Sequence, residues 1–190
     1  MVLLESDPVQ LGSKAPDFSN LPGTDGASYS LGDFADRDVL VVAFICNHCP
    51  YVKATAGRLA ALQEEFGDQG VQLIGINAND TSRYPADSFP KMKEFVQEYS
   101  LNFPYLLDES QEVAQAYGAV CTPDIFVFDR GRALRYRGRI DDNWRNPEAV
   151  TERELAAALT ALVRGEEVAE EQKPSIGCSI KWKPGNNPSR

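Results

Sequence analysis

Two cysteines stand between an unbroken apolar segment and a long helical pattern. Residues 39–45 carry no charge, which is typical of a strand buried on both faces of a sheet. Over residues 51–66 the apolar side chains recur three or four positions apart, as on one face of an α-helix. Cys46 and Cys49 lie between these segments, with Pro50 directly after them. This order predicts an α/β domain in which both thiols lie where the helix begins.

The place of these thiols predicts redox chemistry. The first N–H groups of a helix lack intrahelical partners and the helix dipole is positive there, so a thiolate is favoured. The thiolate is the form that attacks a disulfide. We predict that Cys46, nearer the solvent, attacks the substrate and that Cys49, in the first turn, then attacks Cys46.

Cys46 and Cys49 have two alternative roles, as zinc ligands or as inert core residues. A zinc site needs a second closely spaced pair of ligands, whereas Cys121 and Cys178 are single and far apart in the sequence. Two inert core residues are the other alternative. A pair at a strand-to-helix turn favours redox catalysis over both.

Length and charge limit the class of protein. The chain has 190 residues, of which 43% are hydrophobic, and we expect residues 1–190 to form a single domain. Its core is expected over residues 12–165 and a C-terminal tail over residues 166–190. The net charge of -9 argues against nucleic acid or an anionic membrane as a partner. The sequence opens without a basic leader, and no stretch approaches the roughly 20 apolar residues of a membrane span. We therefore expect a cytoplasmic location.

Further patterns extend the α/β order. A second apolar strand at residues 71–77 is predicted to run parallel to the first, because a helix connects them. The long polar loop at residues 79–90 either borders the site, as such loops often do, or is only a connector, and we favour the connector. The other predicted elements are a hairpin of strands 125–129 and 133–140, and helices over 91–99, over 111–117 and from Thr151 as N-cap.

Three motifs together indicate a family. They are Ala15-Pro16-Asp17-Phe18, Cys46-Asn47-His48-Cys49-Pro50, and Thr122-Pro123 ahead of a strand. From about residue 12 to residue 164 the chain resembles the thioredoxin superfamily, in the redoxin branch (alkyl hydroperoxide reductase and thiol-specific antioxidant) that also holds the peroxiredoxins. The resemblance implies a thioredoxin-like fold, with a central mixed β-sheet flanked by helices. It implies no cofactor and no metal.

The resemblance also assigns a role to Thr122 and Pro123. In this superfamily the corresponding X-Pro bond is cis, packs beside the disulfide and presents the preceding backbone to the substrate. Thr122 and Pro123 are therefore expected to bind substrate. Without the resemblance, an ordinary trans proline at the start of an edge strand is equally compatible with the sequence.

The chain departs from the family at three points, and one of them is that Cys46 stands where peroxiredoxins carry a hydroxyl residue, three positions before the cysteine that aligns with Cys49. Thioredoxins carry a buried acid in the central strand that accepts the proton of the resolving cysteine, whereas residues 39–45 contain none. Proton transfer would then use water, a residue elsewhere, or His48. Peroxiredoxins carry an activating arginine where Thr122-Pro123 stands, so a thiol-dependent peroxidase is our second hypothesis.

His48 is the only histidine in the sequence, and it lies between the two cysteines. A donor beside Cys46 stabilises its thiolate, so we predict a Cys46 pKa below the usual value and an oxidising redox potential. A solvent-facing His48 with little influence is the alternative. A copper-carrying site made of Cys46, Cys49 and His48 is the third hypothesis, because copper-delivery proteins share the superfamily.

The remaining thiols are assigned from their surroundings. Cys121 precedes Thr122, so it is expected near the site, as a core residue more than as a redox group. Cys178 lies in the tail, where it is either a mobile third redox thiol or an incidental one. In both cases Ile176, Ile180 and Trp182 are expected to hold the tail against the domain.

These observations predict a thiol-disulfide oxidoreductase. The Cys46 thiolate would attack a substrate disulfide and form a mixed disulfide, which Cys49 would then release. The expected partners are protein or small-molecule disulfides and a thiol reductant system.

Overall fold

The computed structural model describes residues 3–6 and 10–188. Both ranges contain regular secondary structure. The strands are β1 (Leu3–Glu5), β2 (Leu21–Pro22), β3 (Ser28–Tyr29), β4 (Val39–Phe44), β5 (Val71–Asn77), β6 (Tyr105–Leu107), β7 (Cys121–Thr122), β8 (Asp124–Phe128), β9 (Leu134–Arg137) and β10 (Ile176–Ser179). The α-helices are α1 (Pro50–Phe66), α2 (Phe89–Glu98), α3 (Glu112–Tyr117) and α4 (Glu154–Val163).

A mixed sheet of five strands forms the centre of the fold, in the order β6-β5-β4-β8-β9. β4 and β5 are parallel, as the connecting helix predicts, and β6 is parallel to β5. β8 runs antiparallel to β4 and pairs with β9, which confirms the predicted hairpin. The sheet confirms the predicted α/β class and the central mixed sheet.

Both faces of β4 are buried, which explains its lack of charge. On one face Val39, Val41 and Ala43 pack in a cluster that includes apolar side chains of α1, α2 and α4. On the other face Leu40, Val42 and Phe44 join a cluster that includes side chains of α3. Helices therefore flank the sheet on both sides.

A second sheet joins the two ends of the described chain. β10 lies between β1 and β7 and is antiparallel to both, in the order β1-β10-β7. The predicted tail is therefore part of a sheet. Ile180 is buried in the core and Trp182 packs against it, as predicted, but Ile176 is 39% exposed and does not anchor this segment.

Two predicted helix starts were wrong. α4 begins at Glu154, because Thr151 donates its backbone N–H to Asp142 at 2.9 Å instead of capping the helix. α2 begins at Phe89, two residues before the predicted start, with Pro90 inside its first turn. Proline is compatible with the first turn because it has no N–H to leave without a partner. Among the described residues, no helix is both long and apolar enough to cross a membrane.

Candidate active site

The two cysteines lie where β4 passes into α1. Cys49 is the N-cap of α1 and Pro50 its first residue, a position that suits proline. Cys46 is 1% exposed and Cys49 is fully buried. The predicted strand, cysteine pair and helix are therefore confirmed, but Cys46 is hardly closer to solvent than Cys49.

Thr122 contacts both sulfur atoms. The Thr122-Pro123 bond is cis, as the resemblance implies. The hydroxyl of Thr122 lies 3.3 Å from Cys46 Sγ. Its carbonyl oxygen accepts a hydrogen bond from the Cys49 thiol, at an S···O distance of 3.1 Å. One residue of the cis-proline loop thus holds hydrogen-bond partners for both thiols.

Cys178 is part of the same cluster of sulfurs. Its Sγ lies 3.0 Å from Cys49 Sγ, and its side chain is 1% exposed. β10 places it there, because Cys178 stands opposite Thr122 in the β10–β7 pairing. Cys178 is therefore a fixed and buried thiol rather than one on a mobile tail. Cys121 is also buried, and the acceptor for its thiol is the carbonyl of Pro123 at 3.5 Å.

Asp87 is the site residue that the sequence analysis missed. It lies in the 79–90 segment and is fully buried. One carboxylate oxygen accepts the backbone N–H groups of Asn47 and His48, at 2.8 and 3.1 Å. The other lies 2.6 Å from His48 Nδ1 and accepts the Asn79 amide at 2.8 Å. The carboxylate therefore fixes the two residues between the cysteines.

The 79–90 segment is thus more than the connector we expected. Asn77, at the end of β5, donates its side-chain amide to the Asp87 carbonyl at 2.8 Å. Asn47 donates its own side-chain amide to the carbonyl of Ala86 at 3.0 Å. The buried acid that β4 lacks is supplied by this segment.

His48 lies closer to Asp87 than to a cysteine. Its Nδ1 is 4.0 Å from Cys46 Sγ, compared with 2.6 Å from the Asp87 carboxylate. Its ring stacks on Tyr84, with the ring centres 5.8 Å apart. His48 is therefore not a free group in solvent, and its role as a donor to Cys46 rests on the 4.0 Å contact and stays a prediction.

The surroundings of the two thiols separate their pKa values. Burial raises the pKa of Cys46 well above its usual value, and the contact with Cys49 and the charge of Asp87 act in the same direction. The pKa of Cys49 falls to about 5, because Cys46 donates a hydrogen bond to its thiolate and Cys178 donates a second. The predicted low pKa of Cys46 was therefore wrong, and the thiol that ionises first is Cys49.

The third hypothesis placed copper on Cys46, Cys49 and His48. Among the described residues, the ligand atoms that lie within 4.8 Å of one another are instead those of Cys46, His48 and Asp87. Both Asp87 oxygens, however, already take two hydrogen bonds each from buried or half-buried groups. A metal ion would have to displace these bonds, which hold the Cys46–Cys49 turn.

Comparison with known proteins gives consistent matches. The family model described as Redoxin matches residues 10–159. The thiol-disulfide oxidoreductase ResA of Bacillus thuringiensis is 25% identical over 126 residues, 66% of this chain and 68% of ResA. Peroxiredoxin Q of rice, a chloroplast protein, is 29% identical over 135 residues, 67% of this chain and 58% of the peroxiredoxin.

Solved structures extend the similarity to nearly the whole chain. The crystal structure of an uncharacterized conserved protein from Geobacillus kaustophilus is 46% identical, with a TM-score of 0.92. The match covers 97% of this chain and 98% of that one. Two structures share the fold at lower identity and confirm that it is thioredoxin-like. They are the thioredoxin domain of a thiol-disulfide oxidoreductase from Bacteroides vulgatus, at 21% identity and a TM-score of 0.59, and a protein from Chlorobium tepidum described as a thiol:disulfide interchange protein, at 19% and 0.63.

Proposed function

Because the chain belongs to the Redoxin family, we propose that it is a thiol-disulfide oxidoreductase whose redox groups are Cys46 and Cys49. The observation that carries this proposal is the contact of both sulfurs with Thr122. Cys46 lies 3.3 Å from the Thr122 hydroxyl and Cys49 3.1 Å from its carbonyl. Two thiols beside a cis-proline loop form the arrangement that disulfide exchange needs.

The proton between the two thiols prepares the attack. Cys49 has partners in both protonation states, because it donates to the Thr122 carbonyl as a thiol and accepts from Cys46 as a thiolate. Cys49 is therefore the proton acceptor for Cys46. Transfer of this proton leaves a thiolate on Cys46, and the Thr122 hydroxyl stabilises it.

The Cys46 thiolate attacks one sulfur of the substrate disulfide. An S–S bond forms to Cys46, and the other substrate sulfur leaves as a thiolate that takes a proton from solvent. Cys49 then attacks Cys46 Sγ, the bond from Cys46 to the substrate breaks, and the proton that Cys49 loses passes to the second substrate sulfur, which leaves as a thiol. The substrate gains two electrons and the protein is left with a Cys46–Cys49 disulfide.

Proteins or small molecules with a disulfide are the proposed substrates, and a thiol reductant system regenerates the thiols. Tyr51, Pro123 and Trp144 line a small cleft next to the cis-proline loop, which supports a substrate that extends beyond its disulfide. The net charge of -9 supports partners other than nucleic acid or anionic membranes. The small number of cysteines supports a cytoplasmic location.

A thiol-dependent peroxidase with antioxidant activity is the second candidate, favoured by the similarity to peroxiredoxin Q. Peroxide would oxidise one cysteine to a sulfenic acid, and the other would condense with it to a disulfide and release water. A peroxidase site needs an arginine that activates peroxide. Arg137 is buried, and its guanidinium is held by hydrogen bonds to Asp124 at 2.8 Å and to the Gly118 carbonyl at 2.9 Å.

Equilibration of the protein with glutathione mixtures, together with a peroxide assay, separates the two candidates. We expect one two-electron couple, lost in Cys49→Ser and in the double variant Cys46→Ser/Cys178→Ser, and slow consumption of hydrogen peroxide by the reduced protein. Cys121→Ala is the control and should keep the couple. Rapid peroxide turnover that survives Cys46→Ser and is lost in Cys49→Ser would overturn the proposal in favour of the peroxidase.

A further inference from the structure

Cys49 contacts two other thiols at the site. It accepts a hydrogen bond from Cys46, and its Sγ lies 3.0 Å from Cys178 Sγ. A disulfide bond is about 2.0 Å long, so a shift of about 1 Å joins Cys49 to Cys178. We propose that Cys178 is a third redox thiol, which takes the disulfide from Cys46 and forms an internal Cys49–Cys178 bond.

This inference rests on the proposed function, because the Cys46–Cys49 disulfide is its starting point. The Cys178 thiolate attacks Cys49 Sγ, the Cys46–Cys49 bond breaks, and its electron pair leaves on Cys46. The proton that Cys178 loses ends on Cys46. The protein keeps the same number of electrons, so neither an oxidant nor a reductant is consumed.

The backbone around Cys178 holds it against Cys49. β10 is paired on one side with β1 and on the other with β7, so its position is fixed by two neighbours. The preceding residue, Gly177, packs directly on the cis-proline loop, since a Cβ there would lie 2.0 Å from the Thr122 carbonyl oxygen. Only glycine allows this approach, and the close approach keeps the Cys178 sulfur within reach.

Oxidation of Cys49 removes two of the causes that raise the Cys178 pKa. In the reduced protein, burial is the main cause that raises the Cys178 pKa to about 12, and the contact with Cys49 and its charge add to it. A Cys49 in a disulfide carries no charge, so these last two causes disappear. The nearby Lys181 then favours the Cys178 thiolate.

The exchange changes which thiol is free to react with the next partner. Before it, Cys178 is the free thiol of the three, and after it Cys46 is. All three side chains are at most 1% exposed, so the disulfide is buried in both forms. Cys178 therefore lets the oxidised protein hold a free Cys46 thiol beside the cis-proline loop.

Peptide mapping of the full chain tests this. The protein is oxidised with excess oxidised glutathione, its free thiols are blocked with N-ethylmaleimide in acid, and monomers from a non-reducing gel are digested with trypsin. Cys46 and Cys49 share the peptide of residues 38–53, while Cys178 lies in residues 165–181. A Cys46–Cys49 bond is thus internal to one peptide, and a Cys49–Cys178 bond links two.

We expect the linked pair of peptides in oxidised wild type and, as the main species, in Cys46→Ser. It should be lost completely in Cys49→Ser and in Cys178→Ser, and kept in the control Cys121→Ala. Absence of the linked pair from both wild type and Cys46→Ser, with the internal bond present in wild type, would overturn this inference and leave the proposed function standing. Absence of both bonds would overturn the two together.

Discussion

Asp87 and His48 are joined twice. One Asp87 oxygen accepts the His48 backbone N–H at 3.1 Å, and the other lies 2.6 Å from His48 Nδ1. The histidine backbone and ring are both held by a single buried carboxylate. The hydrogen bonds of His48 and Asn79 outweigh the burial that opposes them, and they lower the Asp87 pKa below its usual range.

Asp87→Asn should lower the free energy of unfolding by about 2–4 kcal/mol at pH 7, because an amide cannot accept four hydrogen bonds. The folded-state pKa of Asp87 lies below the ordinary 3.8, so its stabilisation is complete above that value. It is lost as the pH falls through the lowered folded value. The difference between variant and wild type in urea unfolding should therefore shrink below about pH 4.

Asp108→Asn is the matched control for this variant. Asp108 is also fully buried and accepts the backbone N–H groups of Gln111 and Ala114, at 2.9 Å each. Asp108→Asn should destabilise the protein without altering the titration of the thiols. Asp87→Asn, in contrast, removes a charge that raises the Cys46 pKa. A similar shift of the thiol titration in both variants would contradict a specific role of Asp87 at the site.

Thiolate absorbance at 240 nm should show one thiolate forming in the reduced protein with an apparent pKa of about 5. Cys46→Ala should raise this pKa, because it removes the largest stabilising hydrogen bond to the Cys49 thiolate. Cys178→Ala should raise it by less. Cys121→Ala should leave it unchanged, and a pKa unaffected by Cys46→Ala would contradict the assignment to Cys49.

Thr122→Val should slow the attack by Cys46 about fivefold at pH 7. Valine keeps the shape and the carbonyl bonded to Cys49 but removes the hydroxyl that lies 3.3 Å from Cys46 Sγ. Loss of a hydrogen bond of about 1 kcal/mol raises the pKa of the attacking thiol and accounts for this factor. The rate of mixed-disulfide formation with a model disulfide measures it, and a rate equal to that of wild type would exclude the contact.

Gly177→Ala should destabilise the protein by about 3 kcal/mol or more, because the new Cβ would meet the backbone of Thr122 at 2.0 Å. Gly57→Ala, in the interior of α1, is the control. A Cβ there meets nothing within 4 Å, so alanine should stabilise the helix by about 0.5–1 kcal/mol. Thermal unfolding of both variants tests the pair, and equal melting temperatures would contradict the tight packing at Gly177.

The parts of the fold that follow from local pattern were predictable. The uncharged segment at residues 39–45 indicated a strand buried on both faces, and β4 is one. The spacing from Val52 to Phe66 likewise indicated α1. These patterns arise within one element, so a single sequence contains them.

Contacts between distant segments were not predictable in the same way. Asp87 is one of two acids in a polar segment, and nothing in its neighbours shows that it meets the N–H groups of Asn47 and His48. Cys178 depends on β10 pairing with β7, a register that one short strand does not specify. The pKa order of Cys46 and Cys49 also depends on these contacts, so the prediction from the helix end alone was reversed.

The position of β10 also has a consequence for biosynthesis. A ribosome makes Cys46, Cys49, Thr122 and Pro123 well before it reaches the strand that packs on them. During that interval the nascent chain holds a pair of thiols without Cys178 or the backbone of Gly177 against them. Cys46 and Cys49 are thus synthesised before β10, and the two thiols become enclosed only after β10 has been made and has paired with β7.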